Sequence, residues 1–337
     1  MSFAPALGPR LRPPPSAYNC RVQLTGIFPP LTTPFDDYGN LLLDRLRDNV
    51  DRYNHTPLPG YVALGSTGEA IYLTTEEKLE VLRVISQATK GKRTLIAGTG
   101  EESLRATVAM TQQAADLGYQ AALVRTPHYY KGGMTAAAQL NFYRLVADAS
   151  PIPVLIYNFP QLTGLDLTVE TVTELAAHPN ICGIKESSGS LEKLTRLLHA
   201  TAPAHAGHVK KNNHPHEGGV AVADAAADFN VLPGNAATLY PSLCAGAPGA
   251  ILALAVPAPK ACWAVFEDFQ KSDHAAALRH QGTLLEAAVT CAQLGVAAIK
   301  YALDRNGFYG GPPRLPLMPL SPALQERVTA AFATVRG

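Results

Sequence analysis

Lys185 ends a short apolar run, Ile181-Cys182-Gly183-Ile184, and a strand that hydrophobic is expected to be buried. Desolvation disfavours an ammonium, lowers the lysine pKa, and leaves the neutral amine that attacks a carbonyl to form a Schiff base. A strand-end lysine can also pack its stem and keep its head in water, so the run alone leaves both readings open. Other apolar runs end in polar groups too. "GSTGE" (65–69) offers backbone N–H groups and the Ser66 and Thr67 hydroxyls to a carboxylate, although the same residues make an ordinary tight turn. Tyr130 in "TPHYY" and Tyr157 in "YNFP" are each unexceptional semi-buried aromatics. Beside a hydroxyl-rich turn they form a different proposition: a Tyr–Ser–Tyr set that passes protons to and from a reacting group.

These groups need a scaffold that brings strand ends together. Eight unbroken apolar runs of strand length begin near residues 23, 60, 93, 120, 152, 181, 230 and 249, as parallel strands buried on both faces do. Helical patterns separate them. Thr74-x-x-Glu77 is a capping-box pattern ahead of Leu79, Leu82 and Ile85, and Gly118 closes a helix that begins near Ser103. Eight such units predict an α/β fold, a (β/α)₈ TIM barrel over 22–272, whose catalytic groups sit at the C-terminal ends of the strands. Helical patterns at 274–292, 295–305 and 321–335 predict a C-terminal helical extension over 273–337, the last helix with Ser321 as N-cap and Pro322 in its first turn.

The totals exclude several classes. Apolar residues make up 47% and charged residues 16%, with 28 basic against 27 acidic side chains. A net charge of +1 gives no electrostatic footprint for nucleic acid or an anionic membrane. No apolar run approaches the ~18 residues of a membrane span. Five scattered cysteines without a C-x-x-C pair argue against a disulfide framework and for a reducing, cytoplasmic setting. Residues 1–21 carry Arg10, Arg12 and Arg21 and no acid, a composition that keeps mitochondrial import as an alternative. Five prolines there oppose the amphipathic helix an import signal needs and predict a disordered arm. The 203–228 stretch breaks the barrel rhythm as a loop insertion. His205, His208, His214, His216 and Glu217 lie within it or beside one another there, but their spacings match no ligand motif, so no metal is expected.

Taken together and in order, "GSTGE", "YNFP" and "GIKESSG" resemble the dihydrodipicolinate synthase / N-acetylneuraminate lyase family of class I, pyruvate-handling aldolases, from about Gly26 to the C-terminus apart from the insertion. The resemblance implies Lys185 as the Schiff-base lysine and Tyr157 as the acid/base tyrosine. Ser66 would link Tyr157 to a second tyrosine, Tyr130, which members of that family take from a neighbouring subunit. Ser66 and Thr67 would bind the pyruvate carboxylate, with Gly234 and Ile251 lining the pocket. It further implies a small-molecule 2-oxo acid substrate, no cofactor beyond the covalent Schiff base, and a homodimer or homotetramer.

Within the family, true dihydrodipicolinate synthases carry an arginine two residues after Tyr-Asn-x-Pro for the incoming carboxylate. Here that position is Leu162, which makes no such contact. "GIFPPLTTPF", "HPNICGIKESSG" and "GFYGGPPRLPL" resemble the 4-hydroxy-2-oxoglutarate aldolase branch instead, which releases pyruvate and glyoxylate and uses a serine at the position of Ser187. A condensing synthase, or a dehydratase of 2-oxo-3-deoxy sugar acids, would use the same imine. A barrel that only senses pyruvate-like acids would have no use for the nucleophile and its proton relay.

Overall fold

The computed structural model describes residues 22–202 and 229–335; the predicted arm, the 203–228 insertion with its histidines, and residues 336–337 lie outside the described residues. Eight strands fall on the eight predicted runs: β1 (Gly26–Phe28), β2 (Gly60–Ala63), β3 (Thr94–Gly98), β4 (Ala121–Arg125), β5 (Val154–Asn158), β6 (Ile181–Glu186), β7 (Asn230–Pro233) and β8 (Gly249–Ile251). All ladders are parallel. β2 to β7 pair in sequence order, β8 pairs with β1, and a bridge between Pro30 and Val62 joins β1 to β2. Among the described residues no ladder joins β7 to β8. Phe28, Val62, Ile96, Leu123, Leu155, Cys182, Leu232 and Ile251, one from each strand, nevertheless meet in a single buried cluster. A shared lumen of that kind makes the sheet a closed (β/α)₈ barrel.

The helices are α1 (Leu43–Tyr53), α2 (Thr75–Thr89), α3 (Leu104–Asp116), α4 (Ala136–Ala149), α5 (Pro160–Thr163), α6 (Val169–Ala176), α7 (Leu191–Ala200), α8 (Leu239–Cys244) and α9 (Pro259–Gln270). The C-terminal extension adds α10 (His274–Leu294), α11 (Val296–Arg305) and α12 (Pro322–Ala331). Side chains set their starts: Thr74 and Glu77 form the predicted capping box on α2, and Ser103 caps α3, each cap contributing about 1 kcal/mol. Ser321 occupies the N-cap position of α12, but its hydroxyl makes no capping bond, so Pro322 and its fixed φ mark that start instead.

The extension is bolted to the barrel through buried charge. Lys300 on α11 is fully buried, its Nζ 2.6 Å from Glu69 Oε1, donating to the Pro312 carbonyl at 2.8 Å and lying 4.3 Å from the centre of the Phe35 ring. The Arg314 N–H donates to Glu69 Oε2 at 2.7 Å, and its guanidinium grips Glu77 through both nitrogens at 2.5 and 2.7 Å. Such a two-pronged pair is short and directional. Glu69 closes the "GSTGE" turn, so the extension reaches the barrel mouth through one carboxylate.

Candidate active site

Of the predicted site residues, Ser66, Tyr157 and Lys185 lie together at the C-terminal ends of β2, β5 and β6. Parallel register sets Tyr157 of β5 beside Lys185 of β6, and Asn158 beside Glu186. A break in that register decides which way Lys185 points. Val154 pairs with Ile181, whereas Leu155 pairs with Gly183, so β6 holds one extra residue, a bulge. Cys182 packs in the lumen, Ile184 packs against the outer helices, and Lys185 follows on the lumen side. Strict alternation counted from Cys182 would have aimed Lys185 outward. The bulge demands glycine at 183: a Cβ there would stand 2.2 Å from the Asn230 carbonyl oxygen.

Lys185 is 4% exposed, and its Nζ lies 4.3 Å from the centre of the Tyr157 ring. It forms no ion pair among the described residues. Burial alone pulls its pKa from 10.5 down to about 7, so roughly half of the amines are unprotonated at neutral pH. Tyr157 is buried as well, and burial pushes its phenol up to about 12. Its hydroxyl shares a 3.2 Å hydrogen bond with Ser66 Oγ. The Ser187 hydroxyl lies close enough to Tyr157 to favour the phenolate, yet its Oγ is buried without a hydrogen bond of ordinary geometry. A Cβ on Gly234 would sit 2.0 Å from that oxygen, so the structure brings Ser187 and Gly234 together and only glycine leaves the serine room. A buried, unpaired hydroxyl is a place for a polar group of a bound molecule.

Ser66, Thr67 and Gly68 form a tight 3₁₀ turn after β2. Leu64 and Glu69 flank the turn at φ 56° and 55°, a left-handed backbone that non-glycine residues rarely adopt. The Gly68 and Glu69 N–H groups donate back to Gly65 and Ser66. Those of Ser66 and Thr67 have no acceptor among the described residues and are free for an anion. Ile251 is fully buried in the lumen below.

Tyr130 is placed differently. It lies 80% exposed in the loop after β4, its ring edge-on to Tyr129 at 5.1 Å between centres. Within one chain the structure brings Ser66 and Tyr157 together and does not bring Tyr130 to them. The loop is itself held: Glu102 accepts from the His128 and Tyr129 N–H groups at 2.9 and 3.0 Å and pairs with Arg125 at 2.7 Å.

Sequence reasoning missed the framework behind the site. Asn158 and Glu186 follow Tyr157 and Lys185 and point away from the lumen, where Asn158 Nδ2 donates to Glu186 Oε2 at 2.9 Å. Asn158 also donates to Asp166 at 2.8 Å, and Lys193 pairs with Asp166. The two strands that present the tyrosine and the lysine are thus tied together one residue further on. The only cue available was that a polar residue follows each of the two.

The dihydrodipicolinate synthetase family profile matches residues 23–209. The chain belongs to that family. Relatives agree over nearly its whole length. It is 34% identical to a 4-hydroxy-tetrahydrodipicolinate synthase of Xanthomonas campestris over 305 residues, 90% of this chain and 92% of that one. It is 32% identical to another from Exiguobacterium over 311 residues, 92% of this chain and 97% of the relative. The dihydrodipicolinate synthase DapA-2 of Bacillus anthracis superposes with a TM-score of 0.82 at 23% identity, covering 94% of this chain and all of that one; that likeness concerns the fold. As a member of the family the chain is a class I, pyruvate-dependent enzyme with carbon–carbon lyase chemistry, working through a covalent lysine Schiff base without an external cofactor. Among the described residues no cluster of His, Cys, Asp and Glu fits a metal ion and no helix is long and apolar enough to cross a membrane. The four described cysteines are free.

Proposed function

We propose that Lys185 is the Schiff-base lysine of an aldolase that cleaves a short 4-hydroxy-2-oxo acid, such as 4-hydroxy-2-oxoglutarate, to pyruvate and an aldehyde such as glyoxylate. The carrying observation is a buried amine without a counter-charge, in register with Tyr157. Neutral Nζ attacks the C2 carbonyl, and the resulting carbinolamine loses water as Tyr157 protonates the departing oxygen. A phenol at about 12 holds that proton until it is needed. The phenolate left behind takes the proton of the C4 hydroxyl while the C3–C4 bond breaks and its electrons enter the protonated imine. Protonation of the enamine and hydrolysis release pyruvate and restore the amine. Ser66 and Tyr130 of a neighbouring subunit extend the proton path to solvent, Ser66 and Thr67 hold the carboxylate, and Ser187, Gly234 and Ile251 shape the pocket.

Leu162 supports cleavage over condensation. It lies exposed on α5, where an arginine would be needed to receive the carboxylate of a condensing aldehyde. The names of the curated relatives support the second reading, condensation of pyruvate with an amino-aldehyde acid on the same imine. Borohydride added with pyruvate is expected to trap a stable adduct on Lys185; an unmodified lysine overturns both readings. A lactate dehydrogenase-coupled assay on 4-hydroxy-2-oxo acids then separates them. Pyruvate release with an aldehyde co-product supports the aldolase, and turnover only with pyruvate and aspartate semialdehyde supports the synthase.

A further inference from the structure

The longest helix of the extension, α10, turns one face to the barrel through Ala277, Gln281, Leu284, Ala287 and Cys291. Its other side is not the charged surface expected of a solvent-facing helix. Leu278, Leu285 and Val289 are 57%, 49% and 37% exposed, with open space around a Cβ built at Gly282. Positions 278, 282, 285 and 289 follow the alternating four- and three-residue spacing that keeps side chains on one seam between paired helices. Ala275 and Ala292, both exposed, prolong the seam at either end, to about 25 Å at 1.5 Å per residue. Seam leucines cover little of their own chain, and Gly282 leaves a notch between Leu278 and Leu285.

We propose that a second copy of this chain docks on this seam, its α10 running antiparallel about a two-fold axis. Charge selects the occupant and the direction. Arg279 and Glu286 flank the seam on the same side, and neither forms an ion pair within its own chain among the described residues. Antiparallel pairing sets Leu278 against Val289 of the second copy and Gly282 against Leu285 of the second copy. Arg279 and Glu286 of the second copy then fall between the same two layers, and symmetry makes that pair twice. A parallel pairing would place Arg279 beside His274 and Glu286 beside Gln281, leaving both charges unmatched. The Leu285 side chain fills the notch at Gly282, as a knob enters a hole. This surface is separate from the Tyr130 loop, so a chain that already pairs there gains a second interface and a larger closed assembly.

Sedimentation velocity of the full-length protein over a wide concentration range tests the proposal, with retained turnover certifying the fold of each variant. The double variant Leu278→Glu/Leu285→Glu is expected to halve the assembly mass. Arg279→Glu or Glu286→Arg alone is expected to weaken association by about tenfold or more, because each sets like charges face to face. Combining the two reversals recreates the opposite pair with its signs exchanged and is expected to restore association. An assembly mass untouched by the leucine variant overturns the proposal, and so does a charge-swapped double variant no stronger than either single one.

Discussion

Lys185 and Lys300 make a natural pair. Both follow an isoleucine at the end of an apolar run, both are buried, and each holds its Nζ 4.3 Å from the centre of an aromatic ring, Tyr157 or Phe35. Burial pulls both pKa values down. The difference lies in the company. Lys300 has the Glu69 carboxylate at 2.6 Å and a carbonyl at 2.8 Å, and the carboxylate opposes the downward pull. Lys185 has hydroxyls nearby and no charge to answer its own. Desolvation sets the cost of a buried ammonium, but the partner decides whether the charge persists. One lysine therefore serves as a bolt, and the other is free to be a nucleophile.

The sharpest way to break this comparison is to make the same substitution at both positions. Lys185→Met is expected to lose the borohydride adduct and drop turnover to background, with the folded state as stable as before or more so, since it no longer buries an amine. Lys300→Met is expected to do the reverse. It leaves the adduct at Lys185 intact while costing about 3–5 kcal/mol of stability, because the buried Glu69 loses the counter-charge at Oε1 and keeps only the Arg314 N–H at Oε2. Adding Glu69→Gln to Lys300→Met should recover most of that loss in chemical denaturation.

A second test uses pH. Below about pH 7 the folded and unfolded chains both protonate Lys185, and the folded state bears the full cost of a buried charge. Between 7 and 10.5 the unfolded chain binds more protons at this site than the folded one, so the contribution of Lys185 to stability rises with pH. Denaturation midpoints followed across that window should climb more steeply in the native protein than in Lys185→Met; parallel curves would show a lysine that is charged or solvated when folded. The same group predicts an imine-forming rate that rises through about pH 7.

The smallest effect tests the proton path. Ser66→Ala removes one hydrogen bond to Tyr157, worth about 0.5–1.5 kcal/mol, or roughly two- to tenfold in turnover. Adduct formation at saturating pyruvate should survive it.

The scaffold was legible because strands buried on both faces are written as unbroken apolar runs, and all eight lie where those runs do. Lys185, Tyr157 and Ser66 were legible as polar groups ending such runs. Lys300 was not, although its local sequence resembles that of Lys185, because its partner Glu69 lies at the other end of the chain and pairing at that distance leaves no local trace. Tyr130 was read as part of a Tyr–Ser–Tyr set, but it stands exposed in the loop after β4 with its ring against Tyr129, and a residue's place on a loop cannot be read from the apolar run before it. The Asn158–Glu186 tie was hidden because a polar residue after a strand reads as the start of a loop.

The bulge at Gly183 turns the identity of this protein into a matter of counting. A strand presents its residues alternately to two sides, so whether an amine serves chemistry or decorates the exterior depends on odd and even. Removing that single glycine would leave hydropathy and composition nearly unchanged, yet would rotate the lysine behind its own wall. Insertions and deletions in this strand are therefore judged by parity before they are judged by size, and a barrel with every reactive side chain present in its sequence can still be inert.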